Sequence, residues 1–231
     1  MNLQRSYQLE LLDNPNIPTP DLYRNLYELE VINTYLGGYQ ITLKGLSKFL
    51  LHKNISKTVR IVDIGSGAGD TLRKMAQWCR KKHIKAELIG IDLKDDCIAY
   101  AQEKSKDFPE ISFIQSDYQD VSIESDLITS ALFCHHLSDE QLVFYLKWCK
   151  KNAQMGFIIN DLQRHILACK SIGLLTQLFS KSYLVKNDAP LSVRRSLLKN
   201  EWVNILQKAD ITNSQISWEW AFRWLVIGKN Q

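Results

Sequence analysis

Val59-Arg60-Ile61-Val62-Asp63-Ile64 runs directly into Gly65-Ser66-Gly67-Ala68-Gly69, with Asp70-Thr71-Leu72 behind it. The first six residues have the β-branched, nearly continuous apolar character of a strand buried on both faces. Three glycines at alternate positions then precede a helix start. Gly65 can take backbone angles closed to other residues, Gly67 lets a ligand approach the main chain, and Gly69 permits close packing of helix on strand. Glycine turns also join strands to helices for steric reasons alone, so the meaning of this one depends on its surroundings.

Downstream, short apolar runs alternate with longer amphipathic stretches. Strands are predicted at 59–64, 87–91, 111–115, 126–132 and 154–160, and helices at 71–82, 95–106 and 139–151, started by Asp70, Asp95 and Ser138. The alternation predicts a parallel sheet flanked by helices. Past Asp161 the spacing predicts a helix over 162–180, a loop containing Asp188-Ala189-Pro190, a helix over 201–209, and β-prone runs at 214–220 and 222–228 that can pair antiparallel. Upstream, a proline cluster ends the polar residues 1–20, Leu22, Leu26, Leu29 and Ile32 recur at helical spacing until Gly37-Gly38, and a second helix is predicted over 43–51. The expected organisation is an N-terminal helical cap over 1–56 and an α/β domain over 57–231 with a helical insertion at about 162–198.

At 231 residues and 45% hydrophobic content the chain can bury a sizeable core. The net charge is only +4, and Arg80, Lys81, Lys82 and Lys85 cluster at a predicted helix end, where cations favour the dipole. Nucleic-acid binding is therefore not expected. The five cysteines lie far apart with no Cys-x-x-Cys pair, which argues against a zinc site or a disulfide framework and for reduced thiols. Residues 1–13 hold no apolar stretch of signal-peptide type, and the apolar run at 166–179 is short and carries Lys170. A soluble, cytoplasmic protein without membrane contact is expected.

Two further acids give the glycine turn its meaning. Asp92 ends the second predicted strand, where its carboxylate can accept from both hydroxyls of a ribose. Asp117-Tyr118 follows the third, where a carboxylate can accept from an adenine amino group and a ring can line the base. With Asp63 they make a crevice of three carboxylates, with no Lys or Arg in the turn, which repels a pyrophosphate and suits a cationic nucleoside without phosphate. Position 70 is Asp, against a dinucleotide turn, and no Gly-Lys-Ser or Gly-Lys-Thr ending is present for a triphosphate.

Asp63-Ile64-Gly65-Ser66-Gly67-Ala68-Gly69 resembles motif I of the class I S-adenosylmethionine-dependent methyltransferases, and Ala131-Leu132-Phe133-Cys134-His135-His136-Leu137-Ser138-Asp139 is similar to that family's segment after strand four. The likeness covers about residues 57–160 well and the closing strands more loosely. Leu36-Gly37-Gly38-Tyr39 and the stretch from Asp188 to Arg195 add a weaker likeness to small-molecule methyltransferases of bacterial aromatic polyketide and pigment pathways. The resemblance implies a Rossmann-like α/β fold whose seven-stranded sheet has its last strand antiparallel. It implies S-adenosylmethionine as cofactor, bound by Asp63, Gly65, Ser66, Gly67, Gly69, Asp92, Leu93, Asp117, Tyr118 and Phe133, and a small, aromatic or apolar acceptor methylated at oxygen or carbon. The alternatives are a non-catalytic binder of the same cofactor and a nicotinamide-dependent reductase.

His136 and His135 fall just past the fourth strand, at the crevice mouth. Either can deprotonate an acceptor, and an unshifted imidazole titrates near neutrality; equally, the segment can serve only for packing. Asn160-Asp161 ends the fifth predicted strand on the binding edge, and His165 lies four residues on along the next helix; the two read either as a substrate-contacting pair or as a helix cap with a surface histidine. Arg194 and Arg195 can hold an anion or tie a loop to carboxylates. Tyr39, Phe133, Trp218, Trp220, Phe222 and Trp224 can line an apolar pocket or fill core. Cys134 lacks the Pro-Cys setting of cytosine methylation, no Asn-Pro-Pro-Tyr follows strand four, and no metal site is indicated.

Overall fold

The computed structural model describes residues 3–51 and 57–230. Met1-Asn2, where a signal peptide would begin, and residues 52–56, which border the expected junction at 56/57, lie outside them.

Seven strands form one sheet in the order β3-β2-β1-β4-β5-β7-β6. They are β1 (Val59–Ile64), β2 (Ala86–Asp92), β3 (Ile111–Gln115), β4 (Ser125–Ala131), β5 (Ala153–Leu162), β6 (Ser214–Glu219) and β7 (Arg223–Lys229). The first five pair in parallel, while β7 runs antiparallel to both β5 and β6. This is the expected α/β sheet with its last strand reversed.

The helices are α1 (Thr19–Tyr35), α2 (Gly38–Leu50), α3 (Asp70–Lys81), α4 (Asp95–Lys104), α5 (Asp139–Asn152), α6 (Ile166–Phe179), α7 (Tyr183–Arg195) and α8 (Lys199–Lys208). Alternate strand residues feed two cores. Ile61, Leu88, Leu127, Ile158 and Leu225 pack on α2 and α3, while Val62, Ile89, Ile128, Phe157 and Val226 pack on α5 and α8. The parallel strands are thus apolar at consecutive positions because both faces are covered. α2 belongs to this sandwich through Ile41, Leu46, Phe49 and Leu50.

Helix α5 starts at a capping box, with the Ser138 hydroxyl accepting from the Gln141 N–H and the Gln141 side chain accepting from the Ser138 N–H. It therefore begins directly after the segment that carries His135 and His136. Strand β5 extends two residues past the sequence expectation, because its pairing with β7 continues through Leu162 and Arg223.

Residues 188–190, expected in a loop, lie inside α7 with Pro190 in mid-helix. An internal proline costs about 3 kcal/mol. Burial of Leu184, Val185, Leu191 and Val193 outweighs it, at roughly 1.5–3 kcal/mol for each full side chain. The Asp188 carboxylate also accepts from the N–H groups of Leu11 and Leu12, at 2.8 and 2.9 Å, which ties the N-terminal segment across the C-terminal edge of the sheet. The Arg195 guanidinium continues that tie, donating to the carbonyls of Gln8, His135 and His136. None of the helices among the described residues is long and apolar enough to cross a membrane.

Candidate active site

Two cavities, of about 400 and 350 Å³, open side by side along the C-terminal edge of the parallel strands. The larger surrounds the glycine turn. Gly65, Gly67 and Gly69 all have positive φ, at 67°, 49° and 68°. A Cβ on Gly65 would stand 2.5 Å from the Phe133 ring and one on Gly69 2.8 Å from Phe113, whereas nothing lies within 4 Å of the Gly67 position. The turn is therefore closed on two sides and open at Gly67. The Ser66 hydroxyl is buried without a partner among the described residues.

Asp92 holds the turn and faces the same space. Its carboxylate accepts from the N–H of Gly67 at 2.8 Å and of Lys94 at 3.0 Å, and burial pushes its pKa up. Asp117 accepts from the Gln119 N–H at 3.0 Å and lines the far wall with Tyr118, whose ring packs edge-on against Phe133, Tyr145 and Trp148. Exposed Leu93 completes the rim.

Asp63 lies beneath the turn, 2% exposed, and accepts from the Thr129 hydroxyl at 2.6 Å. Burial, aided by the charges of Asp70 and Asp92, pushes its pKa up to about 7, against the pull of the Thr129 hydroxyl. Asp70 also lines the cavity and accepts from the Tyr39 hydroxyl at 2.5 Å. This wall is anionic and crowded, which suits a cationic ligand. All ten residues expected at the cofactor lie on or beside this cavity except Gly69, which sits behind it at the start of α3.

The smaller cavity is apolar over most of its wall, with Ile32 from α1 and Leu36 just after it, Ala168, Ile172 and Leu175 from α6, and Trp220 and Phe222 before β7. One end carries Glu10, His135 and His136. His135 is 3% exposed, and its Nδ1 donates to Asp161 Oδ1 at 2.7 Å while its backbone N–H donates to Asp161 Oδ2 at 2.9 Å. His136 places Nδ1 3.0 Å from Asp13 Oδ1 and lines both cavities. Burial pushes Glu10 up to about 7, against the nearby His136 and Arg195 and the Ser192 hydroxyl, which donates at 2.9 Å. For Asp13 burial is outweighed by the hydrogen bond and charge of His136, which hold it down at about 2.

Asp161 thus pairs with His135 and not with His165, since β5 runs on through Leu162 and the Asp161 carboxylate meets the His135 ring and N–H. His165 is the N-cap of α6, accepts from the Leu167 N–H and stacks on Phe222. Arg195 serves as a tie, its guanidinium 4% exposed among backbone carbonyls. Of the aromatics, Trp220 and Phe222 line the apolar cavity, Trp224 is core, Tyr39 is bound to Asp70, and half-exposed Trp218 donates to Gln163. Glu10, Asp13, Asn33 and Arg223 are site residues that sequence reasoning missed. A polar N-terminal segment with two acids three apart carries no periodic signal that would connect it to residue 135.

Residues 61–156 match the family model described as a methyltransferase domain. The chain is 36% identical over 77 residues to the release factor glutamine methyltransferase of Haemophilus influenzae, a stretch covering 31% of this chain and 26% of that protein. The chain therefore matches only about a quarter of that relative's length. Among solved structures, the magnesium protoporphyrin IX methyltransferase of Synechocystis PCC 6803 with bound SAM superposes with a TM-score of 0.56 at 14% identity, over 84% of this chain and 80% of that one. The plantazolicin methyltransferase BpumL, solved with a monoazolic desmethylPZN analog and SAH, gives 0.66 at 17% identity over 90% of each chain. Family model, strand order and glycine turn agree: residues 61–156 match a methyltransferase domain, and the sheet around them has the fold of the solved methyltransferases.

Proposed function

We propose that the protein transfers the methyl group of S-adenosylmethionine to an oxygen or carbon nucleophile of a small, apolar or aromatic molecule. The observation that carries this reading is the shared wall of the two cavities, where Leu12, Leu29, Asn33, Leu132 and His136 border both. A nucleoside on the glycine turn and an apolar molecule beside it would meet at that wall.

The residues of the larger cavity fit the cofactor. Gly67 leaves room at the main chain, Asp92 and Asp117 offer acceptors for ribose hydroxyls and an adenine amino group, and the acids around Asp63 offer a counter-charge without repelling any phosphate. When bound, the cofactor supplies a methyl group on a sulfonium that is already activated. What remains for the protein is to align the acceptor and exclude water. The apolar wall under α6 does the second. The Glu10, His135 and His136 end gives an acceptor its one polar anchor, and loss of the acceptor's proton is assigned to this cluster, with the imidazoles of His136 and His135 within it. In this reading the helical segments at 1–56 and about 162–198 are the lid, except α2, which belongs to the core.

Calorimetric titration with S-adenosylmethionine, S-adenosylhomocysteine and NADH tests the cofactor before any acceptor is known. Saturable binding of the first two and not the third is expected. Binding of none, or of NADH alone, overturns the reading. Transfer of labelled methyl to phenols and polyketide-like acceptors, and not to protein or RNA, tests the acceptor class.

A further inference from the structure

We propose that Glu10, His135 and His136 form a binding site for a divalent first-row transition ion, open to the apolar cavity. One potential ligand atom from each of the three lies within 4.8 Å of the others. His135 Nε2 stands 3.6 Å from Glu10 Oε1, and His136 Nε2 stands 3.8 Å from Glu10 Oε2. These separations are too long for hydrogen bonds. They are near the roughly 3.3 Å that separates neighbouring ligands at about 2.0–2.1 Å from a tetrahedral zinc, and with all three ligand atoms within 4.8 Å of one another the side chains would draw together around an ion.

The surroundings point the same way. Each imidazole has its Nδ1 on a carboxylate, His135 on Asp161 at 2.7 Å and His136 on Asp13 at 3.0 Å. Such an arrangement fixes the tautomer, leaves the Nε2 lone pairs facing one point, and raises their basicity as ligands. Charge is compatible with a cation as well: Glu10 and Asp13 both face the Arg195 guanidinium, and with neutral imidazoles the histidine rings give Asp13 and Asp161 an N–H donor but no positive charge. Two imidazoles and one carboxylate suit zinc, iron or cobalt rather than magnesium or calcium, and leave at least one coordination position free.

That position faces the cavity, so the ion would take one oxygen of the acceptor, and a hydroxyl bound there would lose its proton to solvent more readily. The ion's role in methylation rests on the function proposed above; its binding does not. With the ion in place both Nε2 lone pairs are engaged, and the cluster acts as a metal centre and not as a pair of free bases.

The test is made without cofactor or acceptor. Protein stripped of metal by chelator is titrated with Zn²⁺ and with Co²⁺, by calorimetry and visible absorption. We expect saturable binding of about one equivalent and cobalt bands of nitrogen and oxygen ligation, without the near-ultraviolet charge transfer of a thiolate. His136→Ala and Glu10→Gln should each weaken binding by more than tenfold, Asp13→Asn by about 10–100-fold through the orientation of His136, and His165→Ala not at all. Each variant must keep a cooperative thermal transition, and Asp13→Asn at the half-buried edge serves where Glu10→Gln does not fold. No saturable binding, binding indifferent to His136→Ala and Asp13→Asn, or imidazoles found doubly protonated by NMR at neutral pH with zinc present would overturn the site. S-adenosylmethionine binding, measured separately, reports on the methyl-transfer reading alone.

Discussion

The two cavities are built in opposite ways. The one at the glycine turn takes most of its wall from a single run of strand-helix units, from Asp63 to Gln141, with α1 closing it from above. Its neighbour draws on six separated segments, around Glu10, Ile32, His135, Ile172, Ser192 and Phe222. The first is charged and pinned by backbone hydrogen bonds to Asp92; the second is apolar and held by buried side-chain pairs such as His135 with Asp161. A site made of consecutive units depends on local rules, and a site made of distant ones depends on the whole fold having closed. Removing a functional side chain from the first should change binding more than stability, and from the second stability more than cofactor binding.

Asp92→Ala is the largest expected break. It removes a carboxylate that would hold two ribose hydroxyls, at about 1.5–3 kcal/mol for each hydrogen bond to a charged group, so cofactor affinity measured by calorimetry should fall by roughly 3–6 kcal/mol. The thermal transition should remain cooperative. Wild-type affinity in the folded variant would refute the ribose assignment. Asp161→Asn is the counterpart. Asp161 is 1% exposed and accepts from the His135 ring and from the N–H groups of His135 and Leu162. Loss of its charge should cost about 3 kcal/mol of unfolding free energy in a denaturant titration, as for the breaking of buried pairs, while cofactor affinity stays within about twofold. A stable variant that has lost the cofactor would erase the contrast between the cavities.

The same difference decides what the sequence reveals. Strand β1, the glycines and Asp92 are legible because a short continuous apolar run, a φ-permissive residue and an acid at a strand end are each local signals. The five parallel strands and the closing antiparallel pair follow from such signals to within one or two residues. The partners of His135 are not legible. Asp161 reads as the end of the fifth strand with His165 as its partner, until the pairing of β5 with β7 carries the strand past it and leaves it on His135. Glu10 and Asp13 read as ordinary polar residues of an N-terminal segment. They reach the histidines only because Asp188, inside a helix that its proline argues against, binds the N–H groups of Leu11 and Leu12.

A smaller effect separates space from strain within the glycine turn. Gly67 has φ 49° and nothing within 4 Å of a Cβ, so Gly67→Ala should cost only about 1–2 kcal/mol of stability for a left-handed alanine. Its methyl would stand where the ligand approaches, and cofactor affinity should drop by about tenfold or more. Gly65→Ala meets the Phe133 ring at 2.5 Å and should lose more stability than Gly67→Ala in the same thermal melt. Equal losses at the two positions would mean that Phe133 moves aside freely and does not close the turn.

The smallest effect is a pH dependence peculiar to the charged cavity. Burial raises Asp63 from the ordinary 3.8 to about 7, so its folded-state pKa lies above its unfolded one. The protonated form is therefore favoured by folding, and the stability that it contributes is full below about pH 4 and fades as pH rises through about 7. A cation beside Asp63 would bring the pKa back down, so binding of S-adenosylmethionine below pH 7 must expel a proton. Affinity should tighten by up to about tenfold between pH 6 and pH 7 and level off above. Calorimetry at pH 6 in two buffers of different ionisation enthalpy should report the released proton directly. Asp63→Asn has no proton to release at that position and should bind more weakly, with the slope flattened. A slope that survives Asp63→Asn would mean that the anionic wall beneath the turn is not what receives the cation.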